Sequence, residues 1–247
     1  MITQIFKKDY TDKRLKPLRI GHRGACGLAP ENTIASFRNA LEIGVDGVEF
    51  DARATKDGEL VLMHDDKVDR TTDGAGFVRD LTFEEIRKLD AGMKFREKFA
   101  GERVPAMKEA LRLLAGKTIF IEIKQEGIEE KVHEALKAAG MRDNVYVISF
   151  HMASVRISKE INKKIKTGLI TEKPEDLKHA LELKADIFCL NHAEADREIA
   201  DAVHKHRMLL NVWTMNDPEE IRQMIEIGAD MLTSDFPDML NRLLGRQ

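Results

Sequence analysis

The amino-acid sequence predicts an α/β protein of the (β/α)8 barrel class. Short apolar β-type runs recur along the chain, and most are flanked by charged segments with helical periodicity. With one run assigned to a hairpin, the remaining eight begin near residues 18, 45, 118, 145, 165, 186, 209 and 230, and six of the seven spacings are roughly 20 to 27 residues. That count and period suit a closed ring of βα units better than an open sheet.

Taken in order, Met1 to Pro17 holds no apolar stretch of signal-peptide length, and no later run reaches the roughly 20 apolar residues of a membrane span. LRIGHRG from Leu18 is the first strand. PENTIASFRNALEIGVDG reads as a helix with Ile34, Phe37 and Leu41 as its apolar stripe and Gly44 as its stop. VDGVEFD from Val45 is the next strand.

ELVLMHD from Glu59 follows after only ARATKDG, too short a link for a parallel crossover, so the two runs form a hairpin. A two-residue turn at Asp57-Gly58 pairs Lys56 with Glu59 and sets His64 opposite Asp51. Glu49 shares the face of Asp51 because strand side chains alternate.

The long gap that follows is read as an insertion over about residues 65–104, within one domain spanning residues 1–247. It contains a helix, TFEEIRKLDAG, capped at Thr82, and a loop, GMKFREKFAGERVP. The later strands are TIFIEIK, VYVISF, IKTGLI, DIFCLN, LLNVWT and DMLTSD. DPEEIRQMIEIGAD is a helix with Asp217 as cap, Pro218 at its first position, a capping box closed by Glu220, and Gly228 as its stop.

Composition narrows the function. The 247 residues are 43% hydrophobic and 34% charged, which suits a globular protein with a full-sized core. A formal net charge of −3 leaves no broad basic field for nucleic acid or an anionic membrane, so any anion is held locally. Two distant cysteines, Cys26 and Cys189, argue against a disulfide framework and for a cytoplasmic location.

The predicted strand ends are unusually polar, and in such barrels strand ends carry the chemistry. Glu49, Asp51 and Glu122 would repel one another at one mouth unless a cation sits among them, and oxygen ligands favour Mg²⁺, Ca²⁺ or Mn²⁺. Ion pairing with Arg23 and Lys124 is the structural alternative. His22 and His64 come from different elements, as opposed general acid and base catalysis requires. A metal with Arg23 and Lys124 suits a phosphodiester, although a carboxylate or enolate could use the same cations. His151, His192 and Phe150 are secondary pocket candidates, and His133, His179, His204 and His206 read as solvated.

At these residues the chain resembles the glycerophosphodiester phosphodiesterase family. The match runs through Gly21-His22-Arg23-Gly24, Pro30-Glu31-Asn32-Thr33, Glu49-Phe50-Asp51, Thr55-Lys56-Asp57-Gly58, His64-Asp65, Arg70-Thr71-Thr72, Leu89-Asp90-Ala91-Gly92, Glu122-Ile123-Lys124 and Val212-Trp213-Thr214, closing with Thr233, Asp235 and Pro237. The resemblance implies a barrel with a small inserted subdomain that hydrolyses glycerophosphodiesters to sn-glycerol 3-phosphate and an alcohol. It implies His22 and His64 as acid/base pair, one divalent cation on Glu49, Asp51 and Glu122, Arg23 and Lys124 near the phosphate, and Trp213 as a pocket wall. The chain departs from the family pattern at Val104-Pro105-Ala106-Met107, which bears on the head group accepted.

Two other functions fit parts of this pattern. A lysophospholipase D would need an apolar channel, which Phe77, Phe95 and Phe99 could help form. A non-catalytic phosphate-binding barrel would bind anions without turnover.

Overall fold

The computed structural model describes residues 16–141 and 143–245, so most of the N-terminal stretch read as lacking a signal peptide lies outside the described residues. The strands are β1 (Leu18–Gly21), β2 (Gly47–Ala54), β3 (Leu60–Leu62), β4 (Thr118–Ile123), β5 (Val145–Ser149), β6 (Lys166–Thr171), β7 (Ile187–Asn191), β8 (Leu209–Trp213) and β9 (Met231–Ser234). They pair in the order β1-β9-β8-β7-β6-β5-β4-β2-β3, and β1 also pairs with β2. Eight parallel strands therefore close a barrel, with β3 lying antiparallel along the far end of β2. Among the described residues, no helix is long and apolar enough to cross a membrane.

The helices between strands start and stop where local chemistry dictates. Thr33 accepts from the backbone N–H of Ser36 to open Ile34–Ile43, and Gly44 ends it at φ 83°, a conformation that favours glycine. Asp217 caps Pro218–Ile227 through the N–H groups of Glu219 and Glu220. The expected capping box does not close there, because the Glu220 carboxylate reaches His192 Nε2 at 3.3 Å.

Alternation sorts the strand residues into two cores. Ile20, Phe120, Tyr146, Ile148, Ile170 and Ile187 pack with Cys189 and Met231 inside the barrel. Residues of opposite parity, such as Val48, Phe50, Leu190 and Val212, pack against the helices. Gly168 belongs to the inner layer, where a Cβ would sit 2.5 Å from Ile187 Cγ2 and 2.9 Å from Ile148 Cγ2, so only a residue without one fits.

The hairpin register differs from the predicted one. Ala52 pairs with Leu62, Arg53 with Val61 and Ala54 with Leu60. The loop has three residues, Lys56 to Gly58: Gly58 N–H donates to Thr55 O, Gly58 lies at φ 83°, and Thr55 N–H donates to Glu59 O. This extra loop residue moves the register by one, so Met63 rather than His64 lies beside Asp51, its N–H donating to Asp51 O at 3.1 Å. The strand ends at Leu62, and His64 enters the site from the chain that follows.

Residues 65–104 contain no parallel strand. They hold the helix Phe83–Lys88, closed by a Thr82–Glu85 capping box, and 3-10 turns at Val78–Asp80 and Glu97–Phe99, the second within the segment expected to be loop. Val68, Val78, Ile86, Ala91 and Val104 pack with Val61 and Met63 as a separate apolar cluster, which seats this segment on the hairpin.

Candidate active site

Most polar groups at the barrel mouth are placed by the end of a parallel strand or the loop after it, and His64, Asp65 and Arg70 come from the chain after β3. In β2 and β4, Asp51 is the register partner of Glu122, and Glu49 lies one layer below on the same face. Glu49, Asp51 and Glu122 are all buried, and one carboxylate oxygen from each lies within 4.8 Å of the others. Lys124 Nζ, just past β4, is 2.7 Å from Glu122 and 3.4 Å from Asp51.

The turn after β1 brings Arg23 to this trio. Its backbone adopts φ 48°, which aims its N–H at Glu49 Oε2 (2.9 Å), and Gly24 follows at φ 90°, where a Cβ would strike Ser36 Oγ. Arg23 Nη1 donates to Glu31 (2.9 Å), while Nε lies 3.2 Å from Asp51 Oδ2 without hydrogen-bond alignment. Asn32 grips Asp51 twice, donating from Nδ2 to its carboxylate and accepting its backbone N–H.

Charge does not balance in this cluster. Two cations face three buried carboxylates, so ionising all three would leave one negative charge uncompensated. Burial and the neighbouring carboxylates push Glu49 well above the ordinary range, and burial with Asp51 pushes Glu122 up to about 7. Burial would raise Asp51 too, but Arg23 and Lys124 outweigh it and hold it low. Glu49 Oε1 and Asp51 Oδ1 are buried without a hydrogen-bond partner. Orphaned carboxylate oxygens beside uncompensated charge fit a hard divalent cation.

Both candidate histidines have a carboxylate behind the ring. His22 Nδ1 lies 2.6 Å from Asp235 Oδ1, and His64 Nδ1 lies 2.7 Å from Asp65 Oδ1. The network assigns the Nδ1 proton to each carboxylate contact and leaves Nε2 for chemistry. His22 Nε2 is 3.9 Å from Glu49. Burial, helped by Arg23 and Lys124, holds His64 below the usual imidazole range against the pull of Asp51 and Asp65. Arg53 donates two hydrogen bonds to the His64 carbonyl.

Arg70, from the segment after the hairpin, forks onto two carboxylates. It donates twice to Glu31 and twice to Asp65. Hydrogen bonds and close ion pairs thus join His64, Asp65, Arg70, Glu31, Arg23 and Asp51 in one chain.

A cavity of about 250 Å³ holds His22, Arg23, Glu49, His64, Glu122 and Lys124 at its lining, with Phe150 and Trp213 as wall. Trp213 is anchored by Nε1 donating to Cys189 O, and Phe150 meets it edge-on at 5.6 Å. An adjoining cavity of about 510 Å³ shares His64, Glu122, Lys124 and Phe150 and adds His151.

Other histidines sit elsewhere. His192 is occupied by Trp213 O and Glu220 and makes no contact with the carboxylate trio. Contrary to the solvated reading, His133 is buried and His204 pairs with Asp230 at 2.8 Å, because both lie on the inward side of their helices. The sequence reading did not assign Asp65, Asp235, Asn32, Glu31 and Arg70 to the site, although they stand in the motif blocks. Adjacency to His64 could have flagged Asp65.

The family model for the glycerophosphoryl diester phosphodiesterase family matches residues 22–239. The chain belongs to that family. It is accordingly an enzyme, a phosphodiesterase. A glycerophosphodiester phosphodiesterase of Caldanaerobacter subterraneus subsp. tengcongensis is 40% identical over 239 residues, covering 93% of this chain and 98% of that protein. One from Bacillus altitudinis is 34% identical over 229 residues, covering 88% and 94%. Among solved structures, an Oleispira antarctica phosphodiesterase in complex with the product sn-glycerol-3-phosphate has a TM-score of 0.87 at 26% identity, covering 93% of this chain and 97% of that one. The phosphodiesterase motifs quoted from the sequence converge on one end of the barrel, where His22, Glu49, His64 and Lys124 line a single cavity.

Proposed function

We propose that this phosphodiesterase hydrolyses small glycerophosphodiesters to sn-glycerol 3-phosphate and an alcohol, with His22 and His64 as the general acid/base pair. The observation that carries the reading is the two histidines, each backed by an aspartate on Nδ1, at a mouth that also holds the carboxylate trio, Arg23 and Lys124. The product complex of the Oleispira antarctica relative supports the glycerol phosphate half of the substrate. The catalytic unit is the whole barrel, with residues 65–104 inserted behind His64.

Glu49, Asp51 and Glu122 would hold one divalent cation, Mg²⁺ or Ca²⁺ with Mn²⁺ as an alternative, which when bound supplies positive charge to a phosphoryl oxygen. Arg23 and Lys124 orient the phosphate and stabilise charge on its oxygens. One imidazole takes a proton at Nε2 from the entering oxygen, while the other gives its Nε2 proton to the leaving alcohol oxygen. Asp65 and Asp235 keep each ring in the required tautomer and orientation. The entering oxygen is water or the substrate's own neighbouring hydroxyl, in which case a cyclic phosphate forms first.

The aromatic residues weighed for a lipid channel favour the short substrate. Phe77 lies between Lys67 and Arg79, and Phe95 packs edge-on against Phe99. Release of glycerol 3-phosphate should therefore be faster from glycerophosphocholine than from lysophosphatidylcholine. It should stop with EDTA and return with a divalent cation. Faster turnover of the lipid would favour a lysophospholipase D, and anion binding with no turnover under any cation would favour a non-catalytic barrel. The two free thiols, Cys26 and Cys189, support a reducing, cytoplasmic setting.

A further inference from the structure

A second group of metal-ligating side chains converges beside the carboxylate trio. His22, Cys26 and Asp235 each offer one ligand atom, and these lie within 4.8 Å of one another. Asp235 Oδ1 is the hub: His22 Nδ1 is 2.6 Å away and Cys26 Sγ 2.8 Å, with sulfur and nitrogen 3.8 Å apart. The three residues come from different places, His22 and Cys26 from the turn after β1 and Asp235 from the end of β9. Backbone contacts fix their relation, since Gly27 N–H donates to Asp235 O at 2.9 Å and His22 N–H to Ser234 O at 3.0 Å. Asn216 Nδ2 holds the other carboxylate oxygen at 2.7 Å, which leaves Oδ1 facing the thiol and the imidazole.

The donor set distinguishes this group from the trio. Glu49, Asp51 and Glu122 offer only hard oxygen, whereas one nitrogen, one sulfur and one oxygen suit a borderline-soft ion such as Zn²⁺. All three residues are only partly buried, so water can fill a fourth position. Zinc bonds to such ligands are roughly 2.0 to 2.3 Å, which sets tetrahedral ligand atoms somewhat farther apart than the present hydrogen bonds. Side-chain shifts of about 1 Å would open the group to that size.

We propose that His22, Cys26 and Asp235 form a binding site for a thiophilic divalent cation of the Zn²⁺ class, and that filling it switches hydrolysis off. Binding displaces the thiol proton to solvent and moves the His22 ring proton from Nδ1 to Nε2, and Asp235, already ionised, supplies the third bond. No electrons are transferred. His22, bonded to the ion through Nδ1, then carries its ring proton on Nε2 and cannot accept another. The switching rests on the role proposed for His22, while the site itself does not. Without the cation, burial and the Asp235 carboxylate keep the thiol protonated, so Cys26 is a poor free nucleophile. A bound cation reverses that local electrostatics.

The test uses the full chain with saturating Mg²⁺ on the hard site, and Co²⁺ as a spectroscopic stand-in for Zn²⁺. A thiolate-to-cobalt charge-transfer band should grow to one equivalent, vanish when Zn²⁺ is added, and be absent in Cys26→Ser, which retains a hydrogen-bond donor to Asp235. Cys26→Ala is the second variant should the serine disturb the aspartate. Zn²⁺ inhibition in both, measured against each variant's own zinc-free rate, should shift to higher concentration by more than the roughly 10- to 100-fold that losing an outer-shell partner costs. Absence of the band in the wild type would overturn the proposal, as would variants that bind and respond to Zn²⁺ unchanged. A band with no inhibition would overturn the switch and the role of His22 while leaving the site in place.

Discussion

Asp235 Oδ1 lies 2.6 Å from His22 Nδ1, although 213 residues separate them in sequence. The contact exists because β9 and β1 are hydrogen-bonded neighbours in the closed barrel. His64 has the same relation to Asp65, at 2.7 Å. If each aspartate fixes a tautomer, Asp235→Asn should lower kcat by about 10²- to 10⁴-fold, the range in which general acid/base groups contribute, with KM little changed. Steady-state kinetics on glycerophosphocholine checks this, and a loss confined to KM would contradict it.

The same contact sets a pH dependence of stability. Burial opposes ionisation of Asp235, but hydrogen bonding and charge from His22 outweigh it and hold the carboxyl at about 2. A depressed carboxyl stabilises the fold above its unfolded value of about 3.9, and that contribution is lost as pH falls through about 2. Its size is at most about 3 kcal/mol. Melting curves between about pH 5 and 2 should therefore fall more steeply for the wild type than for Asp235→Asn. Parallel curves would refute the assignment.

Glu122 has the opposite sign. Its carboxyl is raised to about 7, so the cation-free fold gains from its protonation below the unfolded value of about 4.3 and loses that gain as pH rises through 7. In EDTA the melting temperature should fall between about pH 5 and 8, and Mg²⁺ should abolish the fall by matching the charge. Glu122→Gln should lessen the fall, Glu49 keeping its own share, and should remove the cation response. A variant still stabilised by Mg²⁺ as the wild type is would sink the metal assignment.

Arg70 is half exposed, yet its fork bridges Glu31, which holds Arg23, and Asp65, which backs His64. Arg70→Met should reduce kcat by about tenfold, equivalent to roughly 1.4 kcal/mol, without loss of the barrel. Arg70→Lys should recover only part of it, because an ammonium cannot fork onto two carboxylates. Full activity in Arg70→Met would show that the bridge does not position the site.

Much of the barrel is legible in sequence because each parallel strand carries its own apolar signal and its own crossover helix. The trio is legible for the same reason, since Glu49, Asp51 and Glu122 follow strand alternation. What escapes is what depends on closure or on one residue of loop. Pairing of His22 with Asp235 follows only once β1 and β9 are known to adjoin. The hairpin register turned on whether Asp57-Gly58 or Lys56-Asp57-Gly58 forms the loop, and glycine suits either. Arg70 carried no periodic signal, and its partners lie 5 and 39 residues away.

The central claim is that His22 and His64 exchange the protons of the reaction. Its most direct test is kcat for His22→Ala and His64→Ala on glycerophosphocholine with saturating Mg²⁺, alongside each variant's melting temperature and Mg²⁺ affinity. Each variant is predicted to lose at least about 10²-fold in kcat while staying folded and binding Mg²⁺ as the wild type does, with His22→Ala melting lower because Asp235 loses its partner. A variant that keeps its turnover within a few-fold of wild type would contradict the two-histidine mechanism.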